Sequence, residues 1–133
     1  QVYVISPDEM FFLPELAEEV TDMGLRWERK EHIHQVIAEA DVIYMEPVVQ
    51  PDYTKAREEV REDKGRTPEN YQVTKKLLFE QAKSNAIVLH SLPRQDELST
   101  DVDNTRFQRY WVEAYNGVLT RMALLALILG AVE

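Results

Sequence analysis

The sequence predicts an α/β fold: a three-layer, mostly parallel, doubly wound sheet with helices on both faces. Short apolar stretches rich in β-branched and aromatic residues alternate along the chain with segments of helical periodicity. Strands that alternate with helices are joined by right-handed crossovers, and such crossovers produce parallel sheets covered on both sides. The alternation therefore predicts the fold class before any motif is considered.

The composition predicts one compact domain over residues 1–133. Of these 133 residues, 44% are hydrophobic and none is cysteine. A chain of this length can bury a sizeable core. The lack of cysteine excludes disulfides, thiolate catalysis and zinc–thiolate sites, and it agrees with a cytoplasmic location.

The charge balance indicates which partners to expect. The formal net charge is -9, which repels nucleic acid and anionic membranes. The most apolar run, Met122 to Val132, is too short to span a bilayer. We therefore expect no nucleic-acid partner and no membrane partner. Because Gln1 leads directly into an apolar stretch without an initiator methionine, we also expect the chain to be a piece of a longer protein.

The N-terminal part of the chain predicts a strand followed by a helix. Residues 1–6 carry the β-branched and aromatic residues of a strand. Ser6 and Pro7 have the composition of a helix start, with Pro14 as the point where the regular helix begins after a turn. Gly24 predicts the helix end.

The next segments repeat this alternation. Residues 25–30 predict a second short strand, residues 32–40 a short helix and residues 41–46 a third strand. His32 and His34 have no partners at metal-ligand spacing, so we expect both at the surface and no metal site.

The second half of the chain begins with a long loop. Residues 47–68 lose all periodicity, and loops of this length are usually functional or mobile. A helix is predicted over residues 68–83, a fourth strand over residues 85–90, and a long helix from about residue 106 to residue 129. Apolar residues recur three and four positions apart along the last helix and predict one buried face: Phe107, Trp111, Ala114, Val118, Met122, Leu125 and Leu129.

The end of the fourth predicted strand is the most informative point in the sequence. The strand runs into Ser91, Leu92, Pro93 and Arg94. One interpretation is that the proline only ends the strand, because proline cannot continue a ladder. The other is a ligand site, because open α/β sheets bind ligands beyond the carboxyl ends of their strands.

Two stretches, HSLPRQDELSTDVD and YNGVLTRMALLALIL, resemble the aspartate/ornithine carbamoyltransferase family, in particular its aspartate enzymes. The resemblance extends upstream through YVISPDEM, EADVIYM and VVQ, and so covers essentially the whole chain as the family's second, amino-acid-binding domain. The first domain, which binds carbamoyl phosphate, is then absent from this chain. The matching residues are Leu92, Pro93, Arg94, Glu97, Val102, Asp103, Asn116, Gly117, Arg121, Ala123, Leu124 and Leu125.

The resemblance implies an activity. The amine of an amino acid, with aspartate as the expected acceptor in pyrimidine biosynthesis, attacks carbamoyl phosphate and phosphate leaves. No cofactor is implied, and the full-length protein is expected to be a homotrimer. The carbonyls of Ser91 and Leu92 are implied to accept hydrogen bonds from the carbamoyl amide, with Pro93 holding them in place. The family's catalytic histidine and its phosphate-binding Ser-Thr-Arg-Thr motif belong to the first domain, so we expect no catalytic residue here.

One departure from the family pattern leaves the acceptor open. The aspartate enzymes follow the third strand with Thr-Arg-Val-Gln, whose arginine holds a substrate carboxylate. Here Gln50 matches, but Val48 stands in place of the arginine and Glu46 lies close by. Glu46 could face the pocket and favour an acceptor with a second amine. Alternatively, a cation of the long loop could replace the missing clamp, the candidates being Arg57, Arg61, Lys64 and Arg66.

Two further alternatives remain. The domain could be a noncatalytic binding or regulatory module that kept the fold and lost the chemistry. Arg94 and Glu97 could form a local ion pair or orient a ligand, and in either case we expect them to lie together. His90, at a strand end, is interpreted as a structural histidine rather than a base.

Overall fold

The computed structural model describes residues 1–48 and 66–131. Helices and strands alternate in the predicted order, which confirms a mixed α/β architecture built on parallel strand pairs. The strands are β1 (Val2–Val4), β2 (Trp27–Arg29), β3 (Val42–Met45) and β4 (Ile87–His90), and the α-helices are α1 (Pro14–Asp22), α2 (Lys75–Gln81) and α3 (Tyr110–Ile128).

The described strands form two parallel pairs. β1 pairs with β2, and β3 pairs with β4 in a register that matches Val42 with Ile87 and Met45 with His90. The backbone of residues 107–109 continues the second pair on its far side, where Val88 N–H donates to the Phe107 carbonyl at 2.8 Å. This second pair carries the polar loop that follows β4.

The core lies between the β3–β4 pair and α2. Its side chains come from residues 33–45, which include β3, and from residues 73–110. The most buried apolar members, all at 0% exposure, are Ile37, Val73, Leu78, Val88, Leu98, Val102, Phe107 and Tyr110.

Side-chain capping explains where two helices begin. The predicted helix over residues 68–83 starts at Lys75 because Thr74 accepts a hydrogen bond from Leu77 N–H at 3.2 Å. The residues before Thr74 form a separate 3₁₀ turn, Glu69–Tyr71. The short helix predicted over residues 32–40 is replaced by one 3₁₀ turn, Ile33–Gln35, where the Gln35 side chain accepts a hydrogen bond from His32 N–H at 3.0 Å.

α1 begins at Pro14, as predicted for the regular helix after a turn. The residues after Pro7 form a separate 3₁₀ turn, Asp8–Met10, and proline occupies the first turn of the helix proper. Gly24 follows the helix with a φ of 86°, in the region that favours glycine.

α3 does not bury the predicted apolar face. Phe107 is buried but precedes the helix, whereas Trp111 is 49% exposed and Met122 is 60% exposed. β4 is the main neighbour of α3 among the described elements, and it meets the helix near its N-terminal end. The periodicity correctly predicts a helix, but the prediction that this face is covered is wrong for the chain as described.

Among the described residues, no helix is both long enough and apolar enough to cross a membrane.

Two leucine truncations test where the core lies. Leu78→Ala should lower the free energy of unfolding by about 2–5 kcal/mol, since it leaves a cavity at a fully buried position in α2. Leu127→Ala makes the same chemical change at a position of α3 that is 59% exposed, and should cost less than about 1 kcal/mol. Urea unfolding of each variant measures the difference, and equal losses would contradict this assignment of the core.

Candidate functional site

The candidate site lies where β3 and β4 end side by side. Met45 and His90 are the last paired residues of the two parallel strands, so Glu46 and Ser91 leave the sheet at the same edge. The Ser91 hydroxyl donates a hydrogen bond to Glu46 Oε2 at 2.5 Å. Two strands that are far apart in sequence therefore place a carboxylate beside the first residue of the polar loop.

The loop, residues 91–94, turns sharply after Ser91. Leu92 has a φ of 55°, and its peptide bond to Pro93 is cis. The left-handed region costs a residue with a side chain on the order of 1–2 kcal/mol. A hydrogen bond from Leu92 N–H to Nδ1 of His90, at 2.8 Å, holds the residue there. Within residues 1–48 and 66–131, no donor bonds to the carbonyl oxygens of Ser91 or Leu92.

The buried side chain of His90 holds this loop in place. Since Nδ1 accepts from Leu92, the other ring nitrogen carries the proton and donates to Glu97 Oε1 at 2.7 Å. Gln95 N–H donates to the same oxygen at 2.8 Å. Both ring nitrogens are thus engaged, which agrees with the interpretation of His90 as a structural residue.

A second network holds the far end of the loop. Arg94 binds Asp103 with both terminal guanidinium nitrogens, Nη1 and Nη2, including a 2.7 Å bond from Nη2 to Oδ2. The Tyr110 hydroxyl donates to Asp103 Oδ1 at 2.5 Å. The hydrogen bond from Arg94 lowers the pKa of Asp103, while burial and then the neighbouring carboxylate raise the pKa of Tyr110.

The expected pairing of Arg94 with Glu97 is wrong. The two side chains have different partners: Glu97 lies in the core against His90, and Arg94 lies against Asp103 and α3. Glu97 has 0% exposure, so in this conformation it supports the loop and does not reach a ligand. Arg94 retains a small exposed fraction, 15% of its side chain, and its charge is already paired.

A third contact joins the loop to the chain that precedes α2. Asp96 accepts from Thr67 N–H at 2.9 Å and from the Thr67 hydroxyl at 2.5 Å. The hydroxyl bond is the main reason that the pKa of Asp96 is lowered, and the charge of Arg66 contributes in the same direction. Of the cations proposed as a carboxylate clamp, Arg66 is therefore close to the loop.

Several expected site residues lie outside the described part of the chain. These are Gln50 and the other three clamp candidates, Arg57, Arg61 and Lys64. The structure brings together Glu46, Ser91, Leu92 and the exposed Pro93 at one edge of the β3–β4 pair.

Sequence reasoning missed the residues that anchor the loop. Asp103 stands in the family motif without an assigned partner, and Tyr110 is a helix residue that turns out to bond the ion pair. Glu113, also on α3, accepts a hydrogen bond from His90 N–H at 2.9 Å. A nearby residue, the exposed Tyr44, has its pKa raised by partial desolvation and by the charges of Glu113 and Glu46. No spacing rule in the sequence signals these contacts.

The described residues contain no group of three or more histidine, aspartate or glutamate side chains that could hold a metal ion.

The fold and the loop together define an α/β domain in which, among the described residues, two backbone carbonyls without a donor lie at the carboxyl ends of parallel strands. The sequence profile of the aspartate/ornithine carbamoyltransferase family, Asp/Orn-binding domain, matches residues 1–128. The chain belongs to this family.

Named relatives agree with this assignment. The chain is 36% identical over 130 residues to the aspartate carbamoyltransferase catalytic subunit of Methanopyrus kandleri, covering 98% of this chain and 40% of the relative. It is 37% identical over 129 residues to the same subunit of Hyperthermus butylicus, covering 97% of this chain and 39% of the relative. The chain thus spans about two fifths of the length of these relatives.

Solved structures show the same fold. The crystal structure of aspartate transcarbamoylase from Trypanosoma cruzi, in complex with aspartate and phosphate, superposes with a TM-score of 0.70 at 25% identity. The match covers 92% of this chain and 36% of that one.

The Arg94–Asp103 pair predicts how the free energy of unfolding depends on pH in acid. Because the folded-state pKa of Asp103 is lowered, its contribution to stability is complete above the unfolded pKa, about 3.9, and is lost as the pH falls through the lower folded value. Asp103→Asn should lower the free energy of unfolding by about 2 kcal/mol at pH 7 and flatten its decline in acid. Urea unfolding at pH 7 and pH 3 measures both effects.

Asp22→Asn is the matched control for this prediction. It removes the same charge from an exposed position at the end of α1. A parallel acid decline in the wild type and in Asp103→Asn would show that the pair does not contribute to stability.

Proposed function

We propose that this chain is the amino-acid-binding domain of a carbamoyltransferase that transfers the carbamoyl group of carbamoyl phosphate to the amine of aspartate, in pyrimidine biosynthesis. Membership of the family and the names of the relatives support the activity. The structural observation that carries it is the loop at the edge where parallel strands end, in which no donor among the described residues bonds to the carbonyls of Ser91 and Leu92.

The loop suits an amide ligand for a simple reason. The carbamoyl group carries an NH₂ with two donors, and two fixed carbonyl oxygens can accept both. The amine of the acceptor then attacks the carbamoyl carbon, so that a C–N bond forms and the C–O bond to phosphate breaks. Phosphate leaves with the bonding electrons, and the proton that the nitrogen sheds goes to phosphate or solvent. A loop fixed beforehand on His90 and Asp103 contributes orientation, which is the main contribution these residues can make.

The rest of the machinery is proposed to lie on a first, carbamoyl-phosphate-binding domain of the same protein. The exposed apolar side chains of α3 support this arrangement, since contiguous apolar surface usually marks an interface. We propose that the four strands belong to one three-layer, doubly wound sheet in the complete protein. Such a sheet would form if the β1–β2 pair and the β3–β4 pair lay side by side in a fixed arrangement.

The complete protein is further proposed to be a cytoplasmic homotrimer without nucleic-acid or membrane partners. The resemblance supports the trimer, and the net charge of -9 supports the absence of anionic partners. Sedimentation of the full-length protein tests the trimer, because a monomer or a dimer at micromolar concentration would contradict it. The alternative of a noncatalytic module is not favoured, since the relatives are named catalytic subunits.

The function is tested in the full-length protein that contains this chain. Purified protein should form carbamoyl aspartate from carbamoyl phosphate and aspartate. Arg94→Ala should lower kcat/KM by about tenfold or more, because it releases the far end of the loop from Asp103. Arg26→Ala is the control, since this arginine lies in the exposed turn before β2. No product from the wild type would refute the function, and unchanged kinetics of Arg94→Ala would refute the orienting role of the loop.

The chain of 133 residues by itself should be inactive. The phosphate of the substrate needs several cationic or N–H donors. In the part of the chain that the structure describes, the arginine of the loop, Arg94, is already paired with Asp103. Incubation with carbamoyl phosphate and aspartate should produce no more carbamoyl aspartate than a blank without protein. Turnover above that blank would show that this domain carries the reaction alone.

A further inference from the structure

We propose that Glu46 binds the ammonium group of the acceptor amino acid, an inference that rests on the proposed carbamoyl transfer. The residue would then be part of the acceptor site, with its carboxylate directed at the reacting nitrogen and not at the carboxylates of the substrate.

The position of Glu46 follows from the strand register. Met45 and His90 are paired across β3 and β4, so Glu46 and Ser91 are adjacent where the chain leaves the sheet. The hydrogen bond from the Ser91 hydroxyl to Oε2, at 2.5 Å, fixes the carboxylate against the residue whose carbonyl is proposed to hold the carbamoyl amide. The Glu46 carboxylate is therefore within a few ångströms of the place where the carbamoyl group would lie.

The other carboxylate oxygen of Glu46 is available. The side chain is exposed, and within residues 1–48 and 66–131 Oε1 has no hydrogen-bond donor and the carboxylate has no ion-pair partner. Three other acidic groups near the loop are already engaged: Glu97 with His90, Asp96 with Thr67, and Asp103 with Arg94. Glu46 is therefore an exposed carboxylate at this edge that can still accept hydrogen bonds from a ligand.

The chemistry of the reaction identifies the ammonium as the partner of the Glu46 carboxylate. The acceptor nitrogen must come within bonding reach of the carbamoyl carbon, whereas the carboxylates of an amino acid are one or more carbons further away. A carboxylate beside the carbamoyl site is thus nearest to the nitrogen. An ammonium group has three donors and a positive charge, and a charge-assisted hydrogen bond to Glu46 would hold it beside the carbamoyl carbon. The nitrogen attacks as the free amine, after one ammonium proton has passed to solvent.

A comparison of aspartate with succinate tests this assignment in the full-length protein. Succinate has the two carboxylates of aspartate and lacks the ammonium. Glu46→Gln should raise the KM for aspartate about tenfold, equivalent to about 1.4 kcal/mol, and leave the inhibition constant of succinate unchanged or lower. Glu46→Asp keeps the charge and should restore part of the affinity for aspartate. Urea unfolding of each variant verifies that it folds.

Two control variants distinguish the loss of the Glu46 charge from the loss of its contact with the loop. Ser91→Ala removes the hydroxyl that contacts Glu46 but leaves the carboxylate, so it should not reproduce the selective loss of aspartate affinity. Glu18→Gln removes an equal charge from an exposed position of α1 and should leave both ligands unaffected.

The outcomes that overturn the inference are distinct. Equal weakening of aspartate and succinate, or a Ser91→Ala variant that matches Glu46→Gln, would show that Glu46 acts only by holding the loop. Tighter binding of both ligands to Glu46→Gln would show that Glu46 repels dicarboxylates. If the wild-type protein does not carbamoylate aspartate at all, the proposed function itself fails and the inference fails with it.

Discussion

The buried side chain of His90 is the point on which the site depends. One ring nitrogen accepts from Leu92 N–H and the other donates to Glu97, while the backbone N–H of the same residue donates to Glu113 on α3. Three parts of the chain therefore meet at the last residue of β4. A left-handed leucine is costly by itself, and the ring of His90 supplies a fixed acceptor that offsets this cost. With the loop held this way, its carbonyls can face outward before any ligand arrives.

Parallel pairing explains why the loop has a carboxylate beside it. In a parallel pair both strands end at the same edge, so the residues that follow β3 and β4 become neighbours whatever their separation in sequence. Glu46 and Ser91 meet for this reason. The sequence identifies both as interesting residues because of the family pattern. Their contact follows from the strand register, which apolar periodicity alone does not specify.

The elements were largely predictable from the sequence, whereas their partners were not. In the described part of the chain, β-branched runs and helical periodicity correctly predict four strands and three α-helices, because these signals are local, but the helix predicted over residues 32–40 is only a 3₁₀ turn. The pairing of Arg94 with Glu97 was wrong because a spacing of three residues in a loop does not determine side-chain direction, and Asp103 competes with a bidentate geometry. The prediction that the apolar face of α3 is buried was wrong for a different reason. Periodicity shows that a face is apolar but not what covers it.

The loop and α3 form one mechanical unit. Glu113 on the helix binds the N–H of His90, and Tyr110 at its start binds the Arg94–Asp103 pair, so both ends of the loop are attached to the first turn of α3. A tilt of this helix would shift both anchors together, because packed elements move as bodies. In the proposed complete enzyme, the first domain that covers the apolar side chains of α3 would also determine where the loop carbonyls lie. Assembly of the two domains and orientation of the carbamoyl group would then depend on the same helix.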